Sequence, residues 1–466
     1  MSTQSDALVV GAAEVDITPS WPMHLVGMGR DFVAHDGRNF AYSARDEPAS
    51  ETHDPIMLQA TYLRVGSQAV IIISADLVYT AALDALRAAV AQACRLPVQA
   101  VIYAATHNHN GPAGTERYAA LLCERAAECA LRAMASAVTA VVEHAQGHFD
   151  RLMHDRAEPW GPVDGAIDVL RFRACDGENT IAMWWSYGCH PCSLSWDFNQ
   201  FSADYPGAIR RHVAQAQVQV QEAPFPVSFL SGCTGNIQPI GMMRFSSPPE
   251  MYLGVPKGDY EMVERLGQCV AEAGLRALSE QSRPLATDGY SLTYHSASLP
   301  VQLLLDKAGL QQLRTSLGET LAQKVAGASP ESSINDDLSR LLGDWVDELL
   351  PQADAVCPTH AVSSAIFAIG GLAVIFTPLE LAWQIGKRIR ERSPFTTTLM
   401  STTSLGYESY LTEPKFYALP IDKRPYEAHG LMATAGYSYT PASADVFEEV
   451  VVDGLTISAE RSDGSE

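Results

Sequence analysis

The chain has few basic residues for its size. Lys and Arg number 32 against 54 Asp and Glu among 466 residues, so the formal net charge at pH 7 is −22. Nucleic acids and anionic lipid surfaces would be repelled by this charge, and no stripe of basic residues interrupts it. The composition therefore predicts no nucleic-acid partner.

Long apolar runs are also missing from the sequence. No stretch of about 18 uncharged apolar residues occurs, so we expect no transmembrane anchoring. The first residues, 1–6, lack the basic residues and the apolar core of a secretory signal. The nine cysteines are irregularly spaced and form no paired Cys-x-x-Cys knuckles, which is typical of reduced thiols in a cytoplasmic protein. The sequence leaves open whether the chain assembles into a homodimer.

What the sequence does contain is an alternation of strand and helix patterns. Apolar runs at 68–77 and 101–105 predict buried strands, and the Ala-rich segment 81–94 between them predicts an amphipathic helix. A long helix is expected from about 116 to 143. Because this order is typical of parallel pairing, we expect an α/β fold with a mixed, largely parallel sheet or sheets flanked by helices.

The domain organisation is expected to be simple. Leucines at helical spacing predict a helical hairpin near 305–352, inserted at about 303–355 between two sheet-forming regions. No Pro/Gly/Ser-rich linker divides the chain, so we expect one domain over 1–458. The small and charged tail, 459–466, is expected to be disordered.

The most informative motif is the stretch 106–112, Thr-His-Asn-His-Asn-Gly-Pro. In an extended segment residues i and i+2 project to the same side, so His107 and His109 could converge on one metal ion. Gly111 and Pro112 then force a turn. The carboxyl ends of strands are where open α/β sheets usually keep their sites, and we expect the metal there. A surface loop that happens to hold two histidines is the alternative.

Two further residues follow predicted strands. His190 comes after the aromatic segment 183–188, although a histidine at a strand end is often a hydrogen-bonded core residue. Glu380 comes after the apolar run 373–376, but Thr-Pro-Leu-Glu at 377–380 is also a helix capping box. The residues alone leave both alternatives open.

These motifs share their type and order with those of a known family. They are residues 11–19, His53-Asp54-Pro55, Ser74-Ala75-Asp76, the stretch 106–112, His190, Glu380 after a Pro-Leu step, a Tyr-x-Thr-x-x-x-x-Tyr segment from Tyr410 to Tyr417, and Tyr426-Glu427-Ala428. Together they resemble the neutral/alkaline (non-lysosomal) ceramidase family, specifically its N-terminal catalytic domain. The resemblance spans about residues 9 to 430.

The resemblance implies a zinc ion and a set of residues around it. The implied zinc ligands are His107, His190, Glu380 and Tyr410. Two imidazoles and a carboxylate form a common catalytic zinc set, which leaves room for an activated water. His109 would move the proton, Tyr410 would assist the oxyanion, and Arg156 is matched to a family arginine near the scissile carbonyl.

Other positions are implied around the site or depart from the family. Asp54 and Asp76 are expected as carboxylates that orient the imidazoles. The family's Gly-Asp-x-Ser-Pro segment corresponds here to residues 235–239, with Gln238 in place of the serine. An amide cannot accept an acyl group, so a serine-based route is disfavoured, and Gln238 could instead hold the substrate. No C-terminal immunoglobulin-like domain is expected.

The sequence therefore predicts a zinc-dependent amide hydrolase that acts on a small-molecule N-acyl amide, either lipid-like or a secondary metabolite. Two alternatives stay open: an acyltransferase or cyclase using the same zinc site, and a zinc-stabilised binding protein without turnover. Metallo-β-lactamase-like enzymes fit less well because they need His-x-His-x-Asp-His, where this chain has Gly111 and Pro112. Barrel amidohydrolases usually carry His-x-His on their first strand, whereas a strand and a helix precede it here.

Overall fold

The computed structural model describes residues 7–26, 32–33, 39–40, 47–79, 82–176, 179–195, 198–219, 223–242, 258–327 and 334–462. The strands in these ranges are β1 (Val9–Asp16), β2 (Phe32–Val33), β3 (Asn39–Phe40), β4 (Met57–Val65), β5 (Gln68–Ala75), β6 (Val101–Ala105), β7 (Val138–His148), β8 (Met153–Asp155), β9 (Ala166–Ala174), β10 (Thr180–Tyr187), β11 (Val227–Ser231), β12 (Ile237–Pro239), β13 (Arg283–Leu285), β14 (Ser291–Leu303), β15 (Thr359–Ile369), β16 (Leu372–Phe376), β17 (Glu380–Leu381), β18 (Thr397–Ser401), β19 (Tyr410–Leu411) and β20 (Tyr437–Tyr439).

The α-helices in the same ranges are α1 (Leu83–Cys94), α2 (Glu116–Ala135), α3 (Asp204–Gln219), α4 (Tyr260–Gln281), α5 (Lys307–Gly327), α6 (Ile334–Leu349), α7 (Trp383–Arg392), α8 (Pro414–Tyr417), α9 (Gly430–Thr434) and α10 (Pro441–Ser462). Short 3-10 helices cover Val98–Ala100, Ile240–Met242, Leu350–Gln352, Ile421–Lys423 and Tyr426–Ala428. Among the described residues, no helix is long and apolar enough to cross a membrane.

Two sheets pack face to face and are covered by helices on their outer sides. The larger sheet has the strand order β11-β10-β9-β7-β1-β4-β5-β6, with β13 also paired to β7, and the smaller has the order β18-β16-β15-β14-β20. One apolar cluster joins the inner faces, with Trp184 and Phe172 from the larger sheet against Phe367 and Val374 from the smaller. Apolar side chains on both faces of these strands are buried because each sheet has a layer on either side.

Helices complete the core on both outer faces. On the larger sheet, α1 and α2 cover one half and α3 and α4 cover the other. On the smaller sheet, α10 and the end of α6 pack over β14 and β15. The mixed α/β fold flanked by helices is thereby confirmed, and so is the inserted helical hairpin, because α5 and α6 lie between the neighbouring strands β14 and β15.

The pairing differs from the largely parallel arrangement that the sequence predicts. The parallel pairs are β5 with β6, β10 with β11, β16 with β18 and β17 with β19, whereas the other described pairs are antiparallel. The expected crossover does follow β5, where α1 returns the chain to β6. After α2, however, the chain does not return beside β6, and β7 instead pairs antiparallel with β1 and β9.

Two predicted boundaries also differ. The helix expected over 116–143 ends at Ala135, and residues 138–148 form β7. The tail expected to be disordered from 459 is helical as far as Ser462, because α10 packs on β14, where Ser458 and Thr293 are joined by a hydroxyl hydrogen bond of 2.9 Å. Residues 463–466 lie outside the described residues.

Candidate metal centre

The candidate metal site is a cluster of His107, His109, His190 and Glu380, which lies where strands of both sheets end. His107 follows the end of β6, His190 the end of β10, and Glu380 the end of β16, and each of these strands has a parallel neighbour. The backbone at His107 is left-handed, with φ of 65°, a conformation that costs energy for a residue with a side chain. His107 is therefore not part of an extended segment. A turn, rather than i,i+2 alternation, brings it beside His109.

The three imidazoles are mutually adjacent and buried. Their ligand atoms all lie within 4.8 Å of one another, so His107, His109 and His190 could hold a metal ion. The Nε2 atoms of His109 and His190 are 2.9 Å apart. The carboxylate of Glu380 joins this group, with Oε2 at 3.2 Å from Nε2 of His107 and 3.6 Å from Nδ1 of His190. The structure thus brings together three of the four predicted ligands and His109.

Main-chain carbonyls orient two of the rings. Nδ1 of His107 lies 3.1 Å from the carbonyl oxygen of Val78, and Nδ1 of His190 lies 3.4 Å from that of Thr234. Since a carbonyl oxygen only accepts, we assign the proton of each ring to Nδ1. The lone pair on each Nε2 then faces the cluster.

Burial keeps His190 in the neutral form that can bind a metal ion. Burial holds the pKa of His190 well below its ordinary value, and the positive charges near it lower that pKa further. His190 is therefore neutral at pH 7. Within the described residues, Nε2 of His107 and Oε2 of Glu380 are buried and make no hydrogen bond. Buried lone pairs without a partner are costly, and a divalent metal ion would satisfy both.

The position of Glu380 rules out the capping interpretation. It lies in β17, and α7 begins only at Trp383, with Ala382 as its N-cap. The carboxylate is fully buried and accepts a hydrogen bond at Oε1 from the hydroxyl of Tyr407, at 2.7 Å. Its other oxygen faces His107. Glu380 is therefore part of the histidine cluster rather than of a helix cap.

Tyr410 lies directly beside Glu380, because these two residues are register partners in the parallel β17–β19 pair. Burial raises the pKa of Tyr410 well above its ordinary value, the charge of Glu380 raises it further, and Arg156 opposes both. The hydroxyl is therefore protonated at neutral pH unless a metal ion binds to it.

Arg156 adds a fixed positive charge. Its Cζ atom lies 5.3 Å from the centroid of the Tyr410 ring, and its Nε atom lies 2.7 Å from Oε1 of Glu427. Burial works against the charge on Arg156, but Glu427 raises the pKa of the guanidinium above its ordinary value, so it stays charged. The predicted residues Tyr410 and Arg156 are thus next to each other and next to Glu380.

Two solved structures that this chain resembles are described as ceramidases. A neutral ceramidase from Pseudomonas aeruginosa superposes with a TM-score of 0.69 at 16% sequence identity, covering 98% of this chain and 75% of that chain. The chain shares the fold of neutral ceramidase. A ceramidase complexed with C2 gives a TM-score of 0.68 at 16% identity, covering 98% of this chain and 76% of the other. No protein-family model and no curated protein sequence matches. The resemblance found in the sequence is confirmed for the fold.

Two tyrosines of this ceramidase-like fold were assigned no role from the sequence. Besides bonding Glu380, Tyr407 stacks on His107, with ring centroids 6.1 Å apart and an interplanar angle of 13°. Tyr426 is 49% exposed and meets the ring of Tyr410 at 5.4 Å, so it lies between the site and solvent. Tyr407 precedes Tyr410 by three residues, and this Tyr-x-x-Tyr spacing is the signal that could have pointed to it.

Asp54 and Asp76 do not orient the imidazoles as predicted. The carboxylate of Asp54 accepts from the hydroxyl of Ser202 at 2.6 Å and pairs with Arg211 at 3.1 Å. That of Asp76 pairs with Arg210 and accepts from the backbone N–H of Met57 at 2.9 Å. These carboxylates bind other side chains and the main chain, whereas carbonyl oxygens orient the rings of His107 and His190.

Gln238 lies on β12, opposite His154 of β8, and its Nε2 atom is 3.0 Å from Nε2 of that histidine. Burial lowers the pKa of His154 to about 4, so the ring is neutral and can accept this hydrogen bond at neutral pH. The amide is thus engaged by the protein itself. Whether Gln238 also holds a substrate stays a prediction.

Proposed function

We propose that the chain is a zinc-dependent hydrolase of linear amides, acting on an N-acyl compound that is lipid-like or a secondary metabolite. The observation that carries the proposal is the buried group of His107, His190 and Glu380. Nε2 of His107 and Oε2 of Glu380 face each other without a hydrogen-bond partner among the described residues, and His190 lies 3.6 Å from the same carboxylate oxygen. The fold shared with proteins described as ceramidases supports an amide as the substrate.

In this proposal His107, His190, Glu380 and Tyr410 hold the ion. When bound, zinc supplies a Lewis acid that polarises a carbonyl and lowers the pKa of water toward about 7. Two imidazoles, a carboxylate and an oxygen ligand suit zinc better than calcium or magnesium, which prefer oxygen-only shells.

The other side chains manage charge and protons. His109 lies 2.9 Å from His190 and can accept a proton from the attacking water and return it to the leaving amine. Arg156 carries a fixed positive charge beside Tyr410, and together they stabilise the negative charge that develops on the carbonyl oxygen. The ion pair with Glu427 offsets the free-energy cost of burying the charge of Arg156.

Metal analysis of purified protein tests the proposal. We expect about one zinc per chain, and His107→Ala and His190→Ala should lose it because each removes a ligand with a lone pair in the cluster. His148→Ala is the matched control, since that histidine is 63% exposed and pairs only with the nearby Asp150 among the described ion pairs. Both cluster variants retaining full zinc would contradict the ligand assignment.

Substrate screening tests the reaction. Purified protein is offered N-acyl amides of varied chain length and headgroup, with mass-spectrometric detection of free acid and free amine. We expect acid release that depends on zinc and is unaffected by added amine. Transfer of the acyl group to an added amine would instead support an acyltransferase, and zinc binding without any turnover would support a binding protein.

A further inference from the structure

His360 connects three separate parts of the chain. It lies near the start of β15, is 1% exposed, and places Nδ1 at 2.8 Å from Oε2 of Glu348 and Nε2 at 2.9 Å from Oε2 of Glu408. Carboxylate oxygens at both nitrogens require a proton on each, so the ring is an imidazolium. Burial opposes this charge, but the two glutamates raise the pKa of His360 to about 9. We call these three residues the acidic clasp.

The acidic clasp lies where the helical insertion meets the smaller sheet. Glu348 is in the last turn of α6, and its Oε1 also accepts from the backbone N–H of Ala361 at 2.7 Å. Gln352, just beyond α6, bonds both the N–H and the carbonyl of Thr359 at 2.9 Å. The end of the insertion is therefore fixed to the start of β15.

On its other side the acidic clasp holds the segment 403–410, which we call the tyrosine loop. Thr403, Leu405 and Ser409 in this loop have positive φ angles of 49°, 62° and 63°. Such conformations persist in residues with side chains only when the surroundings hold them. Glu408, the residue that His360 binds, lies between Tyr407, which bonds Glu380, and Tyr410, which lies beside Glu380.

We propose that His360 is a positioning residue through which the helical insertion holds the tyrosine loop against Glu380. The link runs from α6 through Glu348 to the imidazolium and from there through Glu408 to the loop. The insertion thereby becomes part of the site although it contributes no ligand. The proposal rests on the proposed function only in that Glu380 and Tyr410 are taken as zinc ligands.

Hydrogen exchange and zinc binding together test this link in the full chain. The variants are His360→Gln, which cannot carry two N–H groups on a ring, and Glu348→Gln, which keeps the shape of a side chain that is 33% exposed. Asp347→Asn is the matched control, because Asp347 neighbours Glu348 on α6 and binds Arg314 at 2.8 Å outside the acidic clasp. Amide exchange is followed by mass spectrometry in peptides covering 402–412, and zinc affinity by chelator competition.

We expect faster exchange in 402–412 and about tenfold weaker zinc binding in both clasp variants, with neither change in Asp347→Asn. Should His360→Gln not fold, the milder Glu348→Gln decides. Wild-type exchange in 402–412 for the folded clasp variants would overturn the proposal, as would an equal effect of Asp347→Asn. If the wild type binds no zinc but the clasp variants still exchange faster in 402–412, the link is supported and the proposed function fails.

Discussion

The substitution Tyr407→Phe tests how the site holds its carboxylate. The Tyr407 hydroxyl donates to Oε1 of Glu380 at 2.7 Å, and both side chains are buried. Phenylalanine keeps the ring that stacks on His107 and removes only the donor. Glu380 then keeps its charge and its burial but loses the hydrogen bond that fixes which oxygen faces the histidines.

The expected loss can be bounded from this geometry. A hydrogen bond to a charged group contributes about 1.5–3 kcal/mol. In the variant, Oε1 of Glu380 loses its donor and remains buried. At about 1.4 kcal/mol for each factor of ten, this corresponds to a tenfold to hundredfold change in affinity. Removing partners that orient metal ligands weakens metal binding by a similar factor, roughly 10–100-fold. We therefore expect Tyr407→Phe to bind zinc about 10–100-fold more weakly than the wild type.

Chelator competition at fixed pH measures this affinity, with thermal unfolding of the metal-free proteins recorded alongside. The control is Tyr103→Phe, because Tyr103 is also buried and its hydroxyl makes no hydrogen bond within the described residues. Tyr103→Phe should bind zinc as the wild type does. If Tyr407→Phe binds zinc as tightly as both, the carboxylate is not oriented by Tyr407 and the reasoning is refuted.

Two further predictions concern a ligand and pH. Glu380→Gln should lose zinc and activity without destabilising the metal-free protein, since it removes a buried charge and no helix cap. Equilibrium dialysis and thermal scans check this, and a variant that keeps its zinc would contradict the assignment of Glu380 as a ligand. Because the folded-state pKa of His360 is raised to about 9, its contribution is complete below about pH 6.5 and is lost as pH rises through 9. At about 1.4 kcal/mol per pH unit between the two pKa values, this is on the order of 3 kcal/mol, reduced by the partial exposure of its glutamates. Between about pH 7 and pH 10, the free energy of unfolding should fall more in the wild type than in His360→Gln. An equal fall in both would contradict the acidic clasp.

The strands that lead to the first histidine motif could be predicted because their signals are local. β5 and β6 are apolar runs bounded by turn residues, and the helix between them has a regular apolar face. A histidine or glutamate just after such a run is visible in the sequence, and so the strand ends that form the site could be predicted.

Pairing could not be predicted, because it depends on contacts between distant segments. The Ala-rich composition of 116–135 favours a helix and gives no sign that 138–148 will join β1 and β9 in the larger sheet. The same limit applies to side-chain partners. Thr-Pro-Leu-Glu at 377–380 is a capping pattern by local rules, and only the approach of His107 from the other sheet gives Glu380 its actual surroundings.

The residues proposed to bind the ion belong to different halves of the core. His107 and His190 extend from the larger sheet, whereas Glu380 follows a strand of the smaller sheet and pairs with Tyr410. An ion bound by these residues would link the larger sheet to the smaller sheet where their strands end. Ion binding would then increase the free energy of unfolding of the whole protein, by about 1.4 kcal/mol for every tenfold excess of free metal over the dissociation constant.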